Sequence, residues 1–142
     1  MKKNILQVIF LSTILLSCGD KDGKPGICVT NMSSIAGSYK TIAVQYKASA
    51  NAAEQDFFAM LKACEKDDII KLNANGTAEY TDAGVQCNPN TSYTSSWLVN
   101  GSNITIDGET GAIQLFDCKK LVVTTTGAIV AGDQLTVTYQ KQ

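Results

Sequence analysis

Hydrophobic and polar residues alternate through most of the second half of the chain, in short runs separated by turn sequences. A first run, rich in β-forming residues, lies earlier, at residues 39–46. The later runs lie at residues 68–72, 77–81, 93–99, 103–106, 112–117, 121–125 and 135–139. Alternation with a period of two is typical of a strand with one buried face and one solvated face. The pattern therefore predicts about eight antiparallel strands.

The connections between the later runs are short and contain turn residues. Residues 73–76 read Asn-Ala-Asn-Gly, and Asn100-Gly101 is the strongest short hairpin signal available to a sequence. A series of hairpins without crossover helices is typical of a β-sandwich or an up-and-down barrel. The predicted fold class is accordingly all-β in the main.

Alternation also predicts which side chains face the interior. The aliphatic and aromatic positions that share one face are Ile70, Leu72, Trp97, Val99, Ile104, Ile106, Ile113, Leu115, Leu121, Val123, Leu135 and Val137. Polar residues such as Thr105, Gln114 and Thr124 take the opposite face. We expect the first set to form the core and the second to contact water.

One stretch, residues 51–64, has a different period. Its apolar positions recur at helical spacing, at Ala53, Phe57, Met60, Leu61 and Cys64. Asn51 followed by Glu54 has the pattern of a capping box. The sequence thus predicts one helix between the first two strands, placed to close one end of a barrel as a lid.

The N-terminus has the features of a secretory signal. Two lysines follow Met1, and the apolar run at residues 5–16 is too short to span a membrane. Leu15-Leu16-Ser17-Cys18 resembles the lipobox of bacterial lipoproteins, which implies that Cys18 becomes the lipidated first residue. We therefore expect a signal peptide at 1–17, a lipidated N-terminus and flexible tether at 18–32, and a folded domain at 33–142. We expect the lipid to anchor the protein in the cell envelope, at the outer membrane.

The charged residues argue against several functions. The chain has twelve lysines, thirteen acids, no arginine and no histidine. A mildly acidic chain is a poor partner for nucleic acid, and a Ser-His-Asp triad is impossible without histidine. We interpret the carboxylates of Glu65, Asp67 and Asp68 as a solvated run at a helix-to-strand junction. The sequence predicts no enzyme, no catalytic residue, no metal site and no cofactor.

The five cysteines fit the same scheme. With Cys18 assigned to the lipid, four remain, which in an oxidising compartment indicates two disulfides, the alternative being buried free thiols. An up-and-down strand order places two cysteines at each end of the sheet. We therefore predict the bonds Cys64–Cys87 and Cys28–Cys118.

Several motifs together resemble small bacterial lipocalin-like lipoproteins. They are Ile35-x-Gly37-x-Tyr39, Cys64-x-x-Asp67-Asp68-x-Ile70-x-Leu72 with Asn75-Gly76-Thr77, Trp97-x-Val99-x-Gly101-x-x-Ile104-x-Ile106, and the closing stretch at residues 135–141. The resemblance extends over residues 33–142. It implies a lipocalin-like up-and-down barrel of about eight antiparallel strands on a lipid anchor.

Two functions remain open at this point. The first is a binding module for a small hydrophobic ligand, with Tyr39, Ile70, Leu72, Tyr80, Trp97 and Phe116 as candidate contacts. The second is a protein-interaction domain, such as an inhibitor or an accessory subunit of a surface complex, with a filled barrel and partner-binding loops. An internal cavity of a few hundred cubic ångströms would favour the first function, since ligand pockets typically measure about 300–1,000 Å³.

Overall fold

The computed structural model of the protein describes residues 28–142, which form nine strands and two short helices. The helices are α1 (Met32–Ile35) and α2 (Ala63–Lys66). The strands are β1 (Gly37–Lys47), β2 (Gln55–Asp56), β3 (Ile69–Leu72), β4 (Thr77–Thr81), β5 (Tyr93–Asn100), β6 (Asn103–Ile106), β7 (Glu109–Phe116), β8 (Lys120–Thr126) and β9 (Gln134–Lys141).

The sheet closes on itself. From β3 to β9 each strand pairs with the next, β1 pairs with β3, and β9 returns to pair with β1, all antiparallel. Eight strands therefore form an up-and-down barrel, and the ninth, β2, is an added two-residue strand on β1. The predicted fold class and the expected strand number are confirmed. We call the end at which β1 begins the lower end and the end at which it finishes the upper end.

The seam between β1 and β3 is incomplete. β1 pairs with β9 from Tyr39 to Lys47, whereas β3 covers only Gly37 to Lys40 on the opposite edge. Further up that edge, β2 pairs with Gln45 and Tyr46. The long connection at residues 48–68 therefore completes the upper part of the barrel wall.

The prediction of a helix over residues 51–64 is wrong in its extent. A helix does lie between the first two long strands, but it is only the four-residue α2. The preceding segment takes its hydrogen bonds from the free edge of β1, because Phe57 and Phe58 both donate their backbone N–H groups to the Val44 carbonyl. Phe57 also stacks on Tyr46, with ring centroids 4.5 Å apart. Pairing with the barrel has thus overridden a local helical pattern.

The lower half of the barrel is filled by side chains. Its fully buried residues include Ile35, Tyr39, Leu72, Trp97 and Leu121. Ile35 comes from α1, a helix that alternation does not reveal and that closes the lower end. The Trp97 indole donates a hydrogen bond to the Asn73 carbonyl at 2.7 Å, so its polar atom is satisfied as it is buried.

The prediction that Leu115 faces the interior is wrong. Ile113 pairs with Val123 but Leu115 pairs with Val122, so a β-bulge adds one residue to β7 between them. After the extra residue, each side chain of β7 points to the opposite face of the sheet from the one that simple alternation predicts. Leu115 is consequently 47 % exposed on the outer surface, and Phe116 turns inward to pair with Leu121.

Two disulfides fasten the two ends of the barrel. Cys28 bonds to Cys118 at the lower end, with Cα atoms 5.6 Å apart, and Cys64 bonds to Cys87 at the upper end, with Cα atoms 5.2 Å apart. These are the two pairings expected from the strand order. The first attaches the N-terminal segment to the lower turn between β7 and β8.

Candidate binding cavity

The barrel contains a partly open cavity of about 360 Å³ toward its upper end. Its apolar wall is contributed by β6, β8 and β9, through Ile104, Ile106, Val123, Leu135 and Val137. Its polar groups belong to Tyr80, Asp107, Glu109, Thr125 and Tyr139. The volume lies within the range typical of small-molecule sites, about 300–1,000 Å³.

The strand registers explain why these side chains meet. Val123 faces Val137 and Thr125 faces Leu135 across β8 and β9, so four inward residues form one continuous wall. On the neighbouring strands β6 and β7, Ile104 is paired with Gly111, which has no side chain. A Cβ atom at Gly111 would clash with the side chain of Val123, so glycine permits Val123 to pack closely against β7 at this position.

Tyrosines supply the polar side of the cavity. Tyr80 stacks on Tyr93 with ring centroids 4.2 Å apart and an interplanar angle of 8°. Burial raises the pKa of the Tyr80 phenol, and the neighbouring Tyr93 raises it further. Burial likewise raises the pKa of Tyr139 to about 12. Both phenols are therefore neutral at physiological pH and can donate or accept hydrogen bonds.

Asp107 holds the turn between β6 and β7 at the cavity. Its backbone has a φ of +54°, and Gly108 follows with a φ of +82°, as in an Asp-Gly hairpin turn. The carboxylate accepts hydrogen bonds from the Tyr93 hydroxyl at 3.0 Å and from the Ser95 hydroxyl. One aspartate thus connects this turn to β5, whose Tyr93 stacks on the cavity residue Tyr80.

A second aspartate, Asp133, shapes the loop between β8 and β9, whose Ala128 lines the cavity. The side chain is fully buried and accepts hydrogen bonds from the backbone N–H groups of Ala128, Ile129 and Val130, at 2.8–2.9 Å. Burial alone would raise its pKa, but these donors and the Tyr46 hydroxyl lower it below its ordinary value. The loop is therefore held in one shape by a buried negative charge.

The loop between β4 and β5 has a similar support. Asp82 is buried and accepts from the backbone N–H groups of Cys87 and Thr91, at 3.0 and 3.1 Å. Asp67 accepts from Val85 at 2.8 Å, and Asp68 accepts from Ala83 at 3.3 Å. The predicted solvated run of carboxylates is in this respect wrong, because Asp67 and Asp68 are half-buried and secure the loop.

Burial and neighbouring charges shift the pKa of one of these carboxyl groups, that of Asp68. Burial raises the pKa of Asp68, an effect that the Ala83 N–H group opposes and that the nearby carboxylates of Asp82, Asp67 and Glu65 reinforce. Within residues 28–142, no three His, Cys, Asp or Glu side chains are grouped so that they could hold a metal ion.

The six predicted ligand contacts divide between the two halves of the barrel. Tyr80 lines the cavity. Tyr39, Ile70, Leu72 and Trp97 belong instead to the packed core, and Phe116 packs against it. The physical reason is that these side chains pack on one another and on Ile35 of α1 in one buried cluster. Cys18, the predicted lipidation site, lies outside the described residues.

Sequence reasoning missed the acids that organise the cavity. Asp133 lies between the last two predicted strands, and its signal is the stretch at residues 127–133, which contains two glycines and in which one aspartate can collect several free backbone N–H groups. Asp107 stands in an Asp-Gly pair, a recognisable turn signal. Neither signal reveals that the residue lies beside a cavity.

Comparison with known proteins agrees with the fold. The family model described as lipocalin-like domain matches residues 35–126, and the chain belongs to that family. Searches of curated proteins and of solved structures found no significant match. The family generally consists of binding proteins without enzymatic activity, so the barrel and its family together indicate a binding module. None of the helices within residues 28–142 is long and apolar enough to cross a membrane.

Proposed function

We propose that this protein is a lipid-anchored lipoprotein of the bacterial cell envelope whose barrel binds a small hydrophobic ligand. The observation that carries the proposal is the cavity of about 360 Å³ with its continuous wall of aliphatic side chains. A barrel of eight strands either fills itself with side chains or holds one small ligand. In this molecule side chains fill the lower half, and the upper half would hold the ligand.

The anchor is proposed from the sequence of the first eighteen residues. A signal at 1–17 and a lipid on Cys18 would leave a tether that leads to Cys28, which is bonded to Cys118 at the lower end. The cavity and its loops would then point away from the membrane, which we propose to be the outer membrane. Two or more acyl chains are enough for stable anchoring.

A second candidate function is a protein-interaction domain at the same end. The observation that favours it is a group of exposed apolar side chains on the upper loops, namely Met60, Val85, Ile129 and Val130, each at least 51 % exposed. Exposed apolar patches on a protein surface often mark interaction sites. An inhibitor or an accessory subunit of a surface complex would use them while the cavity stayed empty.

Native mass spectrometry of the protein, purified gently from its own host, tests the ligand. We expect a reproducible extra mass that is lost on denaturation. Val137→Phe should abolish it, because Val137 lines the cavity and the larger ring would occupy that space. The matched control is Thr138→Phe, since Thr138 pairs with Val122 on the outer face of the barrel. A bare mass for the unmodified protein would favour the interaction domain.

The anchor has a separate test. Cys18→Ala should yield protein that no longer partitions into membranes or detergent, because the residue that would carry the lipid is gone. Lys24→Ala serves as the control, since it changes a residue near the proposed anchor and leaves the lipobox and both disulfides intact. Membrane association that survives the Cys18 change would contradict the lipoprotein assignment and leave the cavity unaffected.

A further inference from the structure

The charged groups at the cavity all have one sign. Asp107 and Glu109 line it, and none of the lysines within residues 28–142 does. Within the part of the chain that the structure describes, Glu109 forms no salt bridge, and it is exposed at the cavity where β7 begins. Asp107 accepts two hydroxyl donors, but an ionised carboxylate has about four lone-pair positions. Both acids can therefore receive further donors from a ligand.

The lysines at the upper end have other partners. Lys47 forms a salt bridge with Glu54, and Lys62 forms one with Glu65, each at 3.8 Å. Lys66 donates to the Ala59 carbonyl at 3.2 Å. A ligand carboxylate entering the cavity would thus meet two acids, with no lysine of the described residues among the groups that line it.

The wider surroundings have the same sign. The four connections at the upper end, residues 48–68, 82–92, 107–108 and 127–133, contain eight acids and two lysines. Charges of one sign around a concave site raise the local concentration of oppositely charged ligands. The entrance therefore attracts cations and repels anions.

The neutral groups of the cavity also suit a cation. Tyr80 and Tyr139 contribute aromatic rings, whose faces attract ammonium groups, and Thr125 adds a hydroxyl that can accept a hydrogen bond. The aliphatic wall formed by Val123, Leu135 and Val137 is suited to a hydrocarbon tail. Acidic groups, neutral groups that can contact a cation, and an apolar wall thus lie in the same cavity.

We infer that the ligand is an amphiphile with a protonated amine at its polar end and an apolar tail, and that the cavity discriminates against fatty acids. This inference rests on the proposed ligand-binding function and names its ligand class. The tail would lie along β8 and β9, and the ammonium group would lie near Asp107 and Glu109.

Calorimetric titration with decylamine, decanol and decanoate, below their micelle-forming concentrations, tests the inference. The three probes share a tail and differ in the charge of the head. At neutral pH and low salt we expect decylamine to bind about tenfold more tightly than decanoate, with decanol between them. The ratio should fall as salt is added, because salt screens exposed charges.

Substitutions locate the source of the preference. Glu109→Gln should reduce the ratio of decylamine to decanoate affinity severalfold. Glu79→Gln is the matched control, because it changes the net charge equally but lies on the outer face of β4, paired with Lys71 at 3.6 Å. A ratio altered as much by the control would show that only the overall charge matters and would overturn the inference.

The outcomes separate this inference from the function on which it rests. Equal binding of all three probes, or tightest binding of decanoate, would overturn the amine preference and leave the hydrophobic cavity as the binding site. Failure of all three to bind would overturn the proposed function as well.

Discussion

The lower and upper halves of this barrel are made of the same strands but differ in what occupies them. In the lower half, α1 inserts Ile35 beneath Tyr39 and Trp97, and the interior is closed. In the upper half, the inward side chains of β6, β8 and β9 line a cavity of about 360 Å³ instead of filling it. One closed sheet can thus combine a packed core for stability with a pocket for binding.

The two halves also differ in how their polar groups are used. In the lower half, buried polar atoms such as the Trp97 N–H group and the Tyr39 hydroxyl bond to backbone carbonyls. In the upper half, the buried aspartates Asp82 and Asp133 collect backbone N–H groups and hold loops in place. The loops around the cavity therefore depend on buried charges, whereas the lower end depends on apolar packing.

The largest expected effect concerns the disulfides of the two ends. Removing Cys28–Cys118 by a double serine substitution should destabilise the protein by about 4–5 kcal/mol, against about 3 kcal/mol for Cys64–Cys87. The reason is that the first bond closes a sequence separation of 90 residues and the second only 23. Urea unfolding under oxidising conditions measures both losses, and the reverse order would show that loop size does not govern them.

The matched pair Leu72→Ala and Leu135→Ala compares the packing of the two halves directly. Leu72 is 2 % exposed in the closed core, whereas Leu135 is half-buried beside the cavity. We expect a loss of about 3 kcal/mol for Leu72 and about 1 kcal/mol for Leu135, because less packing is lost where space already exists. Equal losses in urea unfolding would mean that the upper half is packed as tightly as the lower.

The smallest expected effect is in the acid dependence of stability. The pKa of Asp133 is lowered from its ordinary value of 3.8, so the stability it contributes is present above that pH and is lost as the pH falls below it. Asp133→Asn should weaken the protein at neutral pH and flatten this acid limb. Unfolding by urea at neutral pH and at a series of pH values below 3.8 gives the comparison.

Asp117, at the lower end of the barrel, is the control for the acid dependence of stability. The backbone N–H groups of Lys120 and Lys119 lower the pKa of its carboxyl, but the side chain is exposed in a turn. Asp117→Asn should therefore change the acid limb less than Asp133→Asn. An equal change would show that the buried position of Asp133 adds nothing.

Much of the barrel was predictable from local chemistry. A run of β-forming residues identified β1, period-two alternation identified the other seven barrel strands, and turn residues such as Asn100-Gly101 identified where they reverse. Strand order alone then placed Cys64 with Cys87 and Cys28 with Cys118. These features follow from neighbours in sequence and from the regular up-and-down topology, so no knowledge of the packed interior was needed.

The failures have non-local causes. The segment at residues 51–64 has helical spacing, yet the free edge of β1 and the ring of Tyr46 draw it into a strand and turns. Leu115 lies two positions after the inward residue Ile113, so alternation predicts that it faces inward. A bulge opposite Val122 and Val123 moves it to the outer face. In both cases another strand decides the outcome.

The sequence by itself determined the strands, the hairpins, the pairing of Cys28, Cys64, Cys87 and Cys118 through strand order, and an N-terminus that resembles a lipoprotein signal. Only the tertiary structure decided which inward residues pack and which enclose space. Tyr80 and Trp97 both face inward, yet Trp97 is buried in the packed core with Ile35 of α1, whereas Tyr80 lines the cavity. A cavity is a property of side chains that meet across a closed sheet, and their volumes combine only when the barrel closes.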